Sequence, residues 1–174
     1  MKIIIVMGVC GSGKTSVAQE LSRKLHYSFR DADEFHSEYN KQKMSKGIPL
    51  TDEDRLPWLL AMHSYLTSLL TSQTSGIVTC SALKKRYRSI LVSGDSTQEV
   101  PMSDETITFV YLKGNFETLL SRLVQRSGHF MPPTLLQSQL DALEEPDDTE
   151  NHITVSVDQT VADIVQYIIG QLSV

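Results

Sequence analysis

Lys2-Ile3-Ile4-Ile5-Val6-Met7-Gly8-Val9-Cys10-Gly11-Ser12-Gly13-Lys14-Thr15-Ser16-Val17-Ala18-Gln19-Glu20-Leu21 opens the chain, and its centre fits G-x-x-x-x-G-K-[ST], the pattern of a phosphate-binding loop. The flanks decide whether the pattern has meaning. A β-branched apolar run leads in, and Val17, Ala18, Leu21 and Leu25 lead out at helical spacing. Strand, glycine loop and helix is the order the motif requires. Glycines at 8, 11 and 13 permit backbone angles closed to other residues, so the N–H groups of Gly8, Val9, Cys10, Gly11, Ser12 and Gly13 can curl around an anion. The following helix adds the partial positive charge of its N-terminus. Lys14 is placed to reach the outer phosphates of a nucleotide, and the Thr15 hydroxyl to ligate magnesium.

The rest of the chain limits what such a loop can serve. A length of 174 residues suits one domain, 1–174, with a sizeable core. A formal net charge of −5 and a pI near 5.5 argue against a general nucleic-acid binder, which would carry a basic face. The apolar run at the start is too short for a signal-peptide core and is spent on the first strand. No stretch approaches the roughly 18 apolar residues that span a membrane. Cys10 and Cys80 have no zinc spacing and form no disulfide framework. The cytosol is the expected compartment.

Further along, Tyr27-Ser28-Phe29-Arg30 is a short strand candidate that delivers Asp31-Ala32-Asp33 at its C-terminal end. Ligands of open α/β sheets gather there. The two acids suit magnesium and a substrate hydroxyl, and they suit a helix N-cap equally well. Glu34 to Ser45 reads as one polar helix stopped by Gly47, and Thr51 with Asp52-Glu53-Asp54 as the capping box of a longer helix through Leu70. Arg55 is either a surface partner of those acids or a site residue. Trp58 reads as core.

Gly76-Ile77-Val78-Thr79-Cys80 is a buried-strand run, followed within a few residues by Lys84, Lys85, Arg86 and Arg88. In an acidic protein this cluster is either put to use or forms a solvated helix face. Gly94 to Glu105 reads as a surface loop. Thr106 to Leu112 is a strand, and the helix after Asn115 carries Arg122 and Arg126 near its end. Those arginines lead into Ser127-Gly128-His129-Phe130-Met131-Pro132-Pro133, a turn-rich excursion that suggests a mobile lid over roughly 122–135. The competing reading is dipole-complementing arginine at a helix end. Glu144 to Asn151 reads as acidic, solvated loop, Ile153 to Val157 as a fifth strand, and Thr160 to Leu172 as a closing amphipathic helix. Five strands alternating with helices give one α/β domain with a parallel sheet.

A guanine-reading Asn-Lys-x-Asp is missing, since Asn40-Lys41-Gln42-Lys43 lacks the aspartate. The third strand ends in Cys80-Ser81 and supplies no acid for a metal. Phosphoryl transfer asks a protein mainly for positioning and charge neutralisation. Lys14, Arg122 and Arg126 for phosphates, Thr15 and an acid for magnesium, and a second acid for the attacking hydroxyl meet that demand.

Beyond the phosphate loop, Asp31-Ala32-Asp33 with His36, Lys43-Met44 with Gly47-Ile48-Pro49-Leu50, Asp52 to Trp58, Cys80 to Lys85 with Tyr87-Arg88, Gly128-His129-Phe130, Leu136-Gln137-Ser138-Gln139 and Leu143-Glu144-Glu145-Pro146 resemble the gluconokinase family. The resemblance runs in order along nearly the whole chain. It implies a fold related to shikimate and nucleoside monophosphate kinases, strand order 2-3-1-4-5 and a homodimer. It implies ATP-dependent phosphorylation of D-gluconate at its 6-hydroxyl, with magnesium, feeding the pentose phosphate pathway. Under it Asp33 orients or deprotonates the attacking hydroxyl and Asp31 holds magnesium. His36, Arg55, Lys84, Lys85, Arg88 and His129 become substrate-binding candidates, with the four cations of that set unranked for the carboxylate. Ala32, Ser37 and Cys10 depart from the residues frequent in the family. The alternatives are another small-molecule hydroxyl kinase of this fold, shikimate-like or for another sugar acid, and a nucleotide-binding scaffold without turnover.

Overall fold

The computed structural model describes residues 1–97, 105–125 and 133–172. The five expected strands are β1 (Ile3–Met7), β2 (Ser28–Asp31), β3 (Gly76–Thr79), β4 (Ile107–Lys113) and β5 (His152–Ser156). All neighbours pair in parallel, in the order β2-β3-β1-β4-β5. Among the described residues the helices are α1 (Lys14–Leu25), α2 (Glu38–Ser45), α3 (Asp52–Thr71), α4 (Lys85–Ser93), α5 (Phe116–Gln125), α6 (Pro133–Ala142) and α7 (Val161–Gln171).

β1 is the centre of the sheet, and the pleat divides its side chains between two cores. Ile3, Ile5 and Met7 pack with Trp58, Leu59, Met62 and Leu66 of α3 and with Ile90 and Leu91 of α4. Ile4 and Val6 pack on the other face with Val17, Ala18 and Leu21 of α1 and with Ile164, Val165 and Ile168 of α7. A strand buried on both faces is apolar at every position, which is why residues 3–7 show no alternation in sequence. A third cluster joins Val9 of the phosphate loop to Leu119 and Leu123 of α5 and Leu136 of α6. The loop therefore has its own apolar seat, built by the helices on either side of the expected lid.

The single helix expected over 34–45 is two pieces, a 3-10 turn at Ala32–Phe35 and then α2. Two local caps compete and both win. The Asp31 side chain accepts from Asp33 N–H at 2.9 Å while Glu34 accepts from Asp31 N–H at 2.9 Å. The Ser37 hydroxyl then accepts from Asn40 N–H at 3.2 Å and starts α2 afresh. The capping box expected at Thr51 is present, with Thr51 and Asp54 exchanging side-chain to backbone bonds of 3.1 and 2.9 Å. Residues 98–104 of the expected surface loop lie outside the described residues, as do Arg126 and His129 within the expected lid.

Candidate active site

β1 runs out at Met7, and the chain turns at Gly8, Gly11 and Gly13 with φ of 148°, 79° and 91° before entering α1. Gly11 shows why a side chain is barred here. A Cβ on it would lie 2.9 Å from the Leu123 side chain and 3.1 Å from the Leu119 carbonyl, in a backbone region that L-residues rarely adopt. The loop is thus pressed onto α5. Arg122 lies beside it, since a Cβ on Gly13 would stand 3.8 Å from Arg122 Nη1. The other terminal nitrogen of Arg122 donates to the Val157 carbonyl.

Lys14 Nζ donates to the carbonyls of Gly8 and Val9 at 3.0 and 3.1 Å. Burial pulls its pKa below the ordinary lysine value, and the nearby thiols of Cys10 and Cys80 and the carboxylates of Asp31 and Asp33 oppose that pull. Two elements separate in sequence are therefore electrostatic neighbours: the lysine of the phosphate loop and the acid pair after β2. The sheet explains it. Asp31 is in register with Thr79 of β3, and Thr79 with Val6 of β1, so all three strand ends open on one edge. Asp33 is exposed there, while Asp31 is half-buried and caps the 3-10 turn. Both sequence readings of Asp31, cap and ligand, remain compatible with one side chain, because one oxygen caps and the other is spare. The Thr15 hydroxyl is exposed at the start of α1.

A groove of about 370 Å³ continues from Gly11, Ser12 and Gly13 past Arg122 to Gln159 and Thr160. Sequence reading missed Gln159 and Thr160. Thr160 carried a signal, being the N-cap of α7, its hydroxyl accepting from Asp163 N–H at 3.1 Å. Gln159 carried none. Also unforeseen is Gln139 of α6, whose Oε1 accepts from Cys10 N–H at 2.8 Å and ties the phosphate loop to a helix 129 positions away.

The substrate candidates fall into different environments. His36 is buried, its ring stacked on Trp58 at 4.3 Å between centroids and 11° between planes. Trp58 Nε1 in turn donates to the Ala32 carbonyl at 2.8 Å. Lys84 pairs with Asp52 at 3.2 Å, and Asp52 also accepts from the Tyr87 hydroxyl. Lys85 pairs with Asp147 at 2.6 Å. Arg88 requires a correction. It is wholly buried, held by Glu150 through bonds of 2.5 and 2.9 Å, and it donates to the Ala82 carbonyl at 2.9 Å. A guanidinium already sealed against a buried carboxylate cannot also receive a substrate carboxylate, so Arg88 holds the turn after β3 from inside.

Arg55 differs from the other three. Among the described residues it forms no ion pair. Its Nε is buried without a partner, and its Nη2 reaches only the Leu50 carbonyl at 3.4 Å. The guanidinium lies 5.7 Å from the Tyr87 ring centre and acts electrostatically on His36, Asp52 and Cys80. Among the described residues it is the cation of this set that pairs with no carboxylate, with donors beyond its one bond to the Leu50 carbonyl.

The two cysteines also part company. Cys80 is sealed in the main core and its thiol is pushed up to about 12 by burial, whereas Cys10 is half-buried in the phosphate loop. Brief alkylation of the native protein is expected to modify Cys10 and spare Cys80, with saturating ATP slowing the reaction. Peptide mass spectrometry reads this directly, and equal labelling of both would count against the assignment.

A family model described as shikimate kinase matches residues 10–172. The chain is 44% identical to a probable gluconokinase of Mus musculus, over 98% of this chain and 97% of that protein. It is 40% identical to the thermosensitive gluconokinase of Escherichia coli, over 93% and 82%. Among solved structures, a gluconokinase from Sinorhizobium meliloti superposes with a TM-score of 0.84 at 40% identity, covering 99% of this chain and 91% of that one. A shikimate kinase from Aquifex aeolicus, at 17% identity and a TM-score of 0.56, shares the fold. The phosphate loop, the acid pair and the unspent arginine thus stand on a scaffold common to these proteins along almost its entire length, and the chain belongs to the gluconokinase family.

Proposed function

We propose that the protein transfers the γ-phosphoryl group of ATP to the 6-hydroxyl of D-gluconate, and that the unspent Arg55 is the residue that receives the substrate carboxylate. Family membership supplies the reaction, and the hydrogen-bonding state of Arg55 is the observation that carries the assignment of the substrate's charged end. A carboxylate brought out of water needs a charged, hydrogen-bonding partner. Lys84, Lys85 and Arg88 each already hold one.

In this reading ATP lies in the groove from the phosphate loop to Gln159, with Lys14 and Arg122 on its outer phosphates. Asp33, at the end of β2, orients the attacking hydroxyl and takes its proton as the new O–P bond forms. Thr15 and Asp31 hold magnesium together with phosphate oxygens and water, and the ion neutralises phosphate charge. Arg126 and His129 extend the nucleotide and substrate contacts from the lid. The protein works as a cytosolic homodimer whose product enters the pentose phosphate pathway. In support of the compartment, no helix of the described residues is long and apolar enough to cross a membrane.

The deciding experiment is coupled ADP release with gluconate, other sugar acids, shikimate and nucleoside monophosphates. Gluconate is expected to dominate. Arg55→Ala is expected to raise the gluconate KM by about 30- to 100-fold, as the loss of a charge-assisted bond to a carboxylate would, with the ATP KM little changed. An unaltered gluconate KM in a folded Arg55→Ala protein would move the carboxylate elsewhere, and turnover of shikimate alone would move the substrate.

A further inference from the structure

Asn40 is a buried polar residue in the first turn of α2, 3% exposed, and none of the steps above uses it. Its amide nitrogen donates to the Asp54 carbonyl at 2.8 Å. That bond fixes which way the amide faces, because a backbone carbonyl can only accept. The same nitrogen lies 3.4 Å from Nδ1 of His36. An N–H₂ group can only donate, so Nδ1 must be the unprotonated nitrogen of the ring and the proton must sit on Nε2. The remaining ring contacts are compatible with this state. The face is stacked on Trp58. Nε2 has no protein partner among the described residues and is not one of the buried polar atoms sealed from water.

Charge points the same way. Burial is the leading influence on His36 and lowers its pKa. The carboxylate of Asp33 opposes that, and the cations Arg55 and Lys41 reinforce it. The ring is therefore neutral near pH 7. Neutrality has a purpose here, since an imidazolium beside Asp33 would pair with the carboxylate that must stay available to the reacting hydroxyl.

We propose that Asn40 is a positioning residue that holds His36 as a neutral Nε2–H donor, and that this donor reads a hydroxyl in the middle of the sugar-acid chain. The second half rests on the substrate reading above. His36 lies within electrostatic reach of both Asp33 and Arg55, to which the two ends of the substrate are assigned, and this places it near the carbons between them. A donor fixed in one tautomer discriminates by leaving a polar group unpaired when the matching hydroxyl is absent. Asn40 acts at one remove, through the tautomer. Its second bond, to the Asp54 carbonyl, gives it a rigid base, and Asp54 is itself braced by Lys43 at 2.6 Å.

The test begins without substrate. Long-range ¹H–¹⁵N correlation of the imidazole nitrogens, with His36 assigned by its loss in His36→Gln, is expected to show the neutral Nε2–H tautomer at pH 7. Asn40→Asp places a carboxylate acceptor at Nδ1 and is expected to draw the ring proton there, so that the neutral ring switches to the Nδ1–H tautomer and Nε2 loses its donor. In steady-state kinetics Asn40→Asp and His36→Ala are expected to raise the gluconate KM by about 3- to 10-fold, the worth of one neutral hydrogen bond, and to leave the ATP KM unchanged. His36→Gln, which carries an amide N–H near the place of Nε2, is expected to recover part of the loss. An Nδ1–H tautomer or an imidazolium in the wild type at pH 7 overturns the role of Asn40. A normal gluconate KM in folded His36→Ala overturns the recognition. Failure of the wild type to turn over gluconate overturns the substrate reading and the recognition with it, while the spectrum still decides on Asn40. Should Asn40→Asp not fold, the wild-type spectrum and the two His36 variants decide alone.

Discussion

Lys14→Met is expected to lower kcat by about 100- to 1,000-fold, the scale on which removal of one preorganised charge-stabilising donor acts. Methionine keeps most of the apolar stem and removes only the ammonium. In the structure that ammonium rests on the Gly8 and Val9 carbonyls, inside the turn where phosphate belongs, with Asp31 and Asp33 within electrostatic reach. Its displacement onto a bound phosphate exchanges two neutral acceptors for a fully charged one. The benefit grows as negative charge shifts during transfer, so the loss should appear in kcat more than in the KM for ATP. Circular dichroism and a thermal melt separate this from unfolding. Undiminished turnover in a folded Lys14→Met protein would remove the phosphate loop from the mechanism.

Arg88→Ala is expected to destabilise the fold by about 3–5 kcal/mol, because it strands the buried Glu150 carboxylate without its partner. For a chain of this size that is a melting-temperature drop of roughly 10 °C. Both side chains of the pair are fully inaccessible to water, so neither charge is relieved by solvent once the other is gone. Replacing both at once, Arg88→Met with Glu150→Leu, should recover much of the loss, since no charge then remains to be solvated. A single variant that melts like wild type but binds gluconate poorly would return Arg88 to the substrate site.

Arg88 also shows where sequence reading reaches its limit. The sheet was legible because burial on both faces leaves a signature at each position of residues 3–7 and 107–112, and the phosphate loop because its glycines and lysine have fixed spacing. The acid pair was legible in place though not in role. The basic run after β3 was open between use and a solvated helix face, and the acidic run at 144–151 read as solvated loop. In three dimensions they answer one another. Lys85 meets Asp147, Arg88 meets Glu150, and Glu144 accepts from Lys85 N–H at 2.7 Å. Pairing across about 60 positions has no local periodicity to announce it, and complementary charge in two runs names no register. Asn40 and Gln139 were hidden for a related reason. Each acts through a single bond to a distant or buried atom, and an amide on a helix looks the same whether it faces water or a ring nitrogen.

The bond from Gln139 to Cys10 N–H has a consequence for how nucleotide binding and α6 influence each other. α6 begins at Pro133, and the phosphate loop is where the nucleotide lands. One acceptor thus belongs to both partners. To the extent that a held α6 keeps the loop in its anion-ready shape, the factor by which it tightens ATP must equal the factor by which ATP holds α6, because linkage between two equilibria has no direction. Residue 139 is then a place where the two events share one coupling free energy, and whatever a change there does to the coupling is felt equally from both sides.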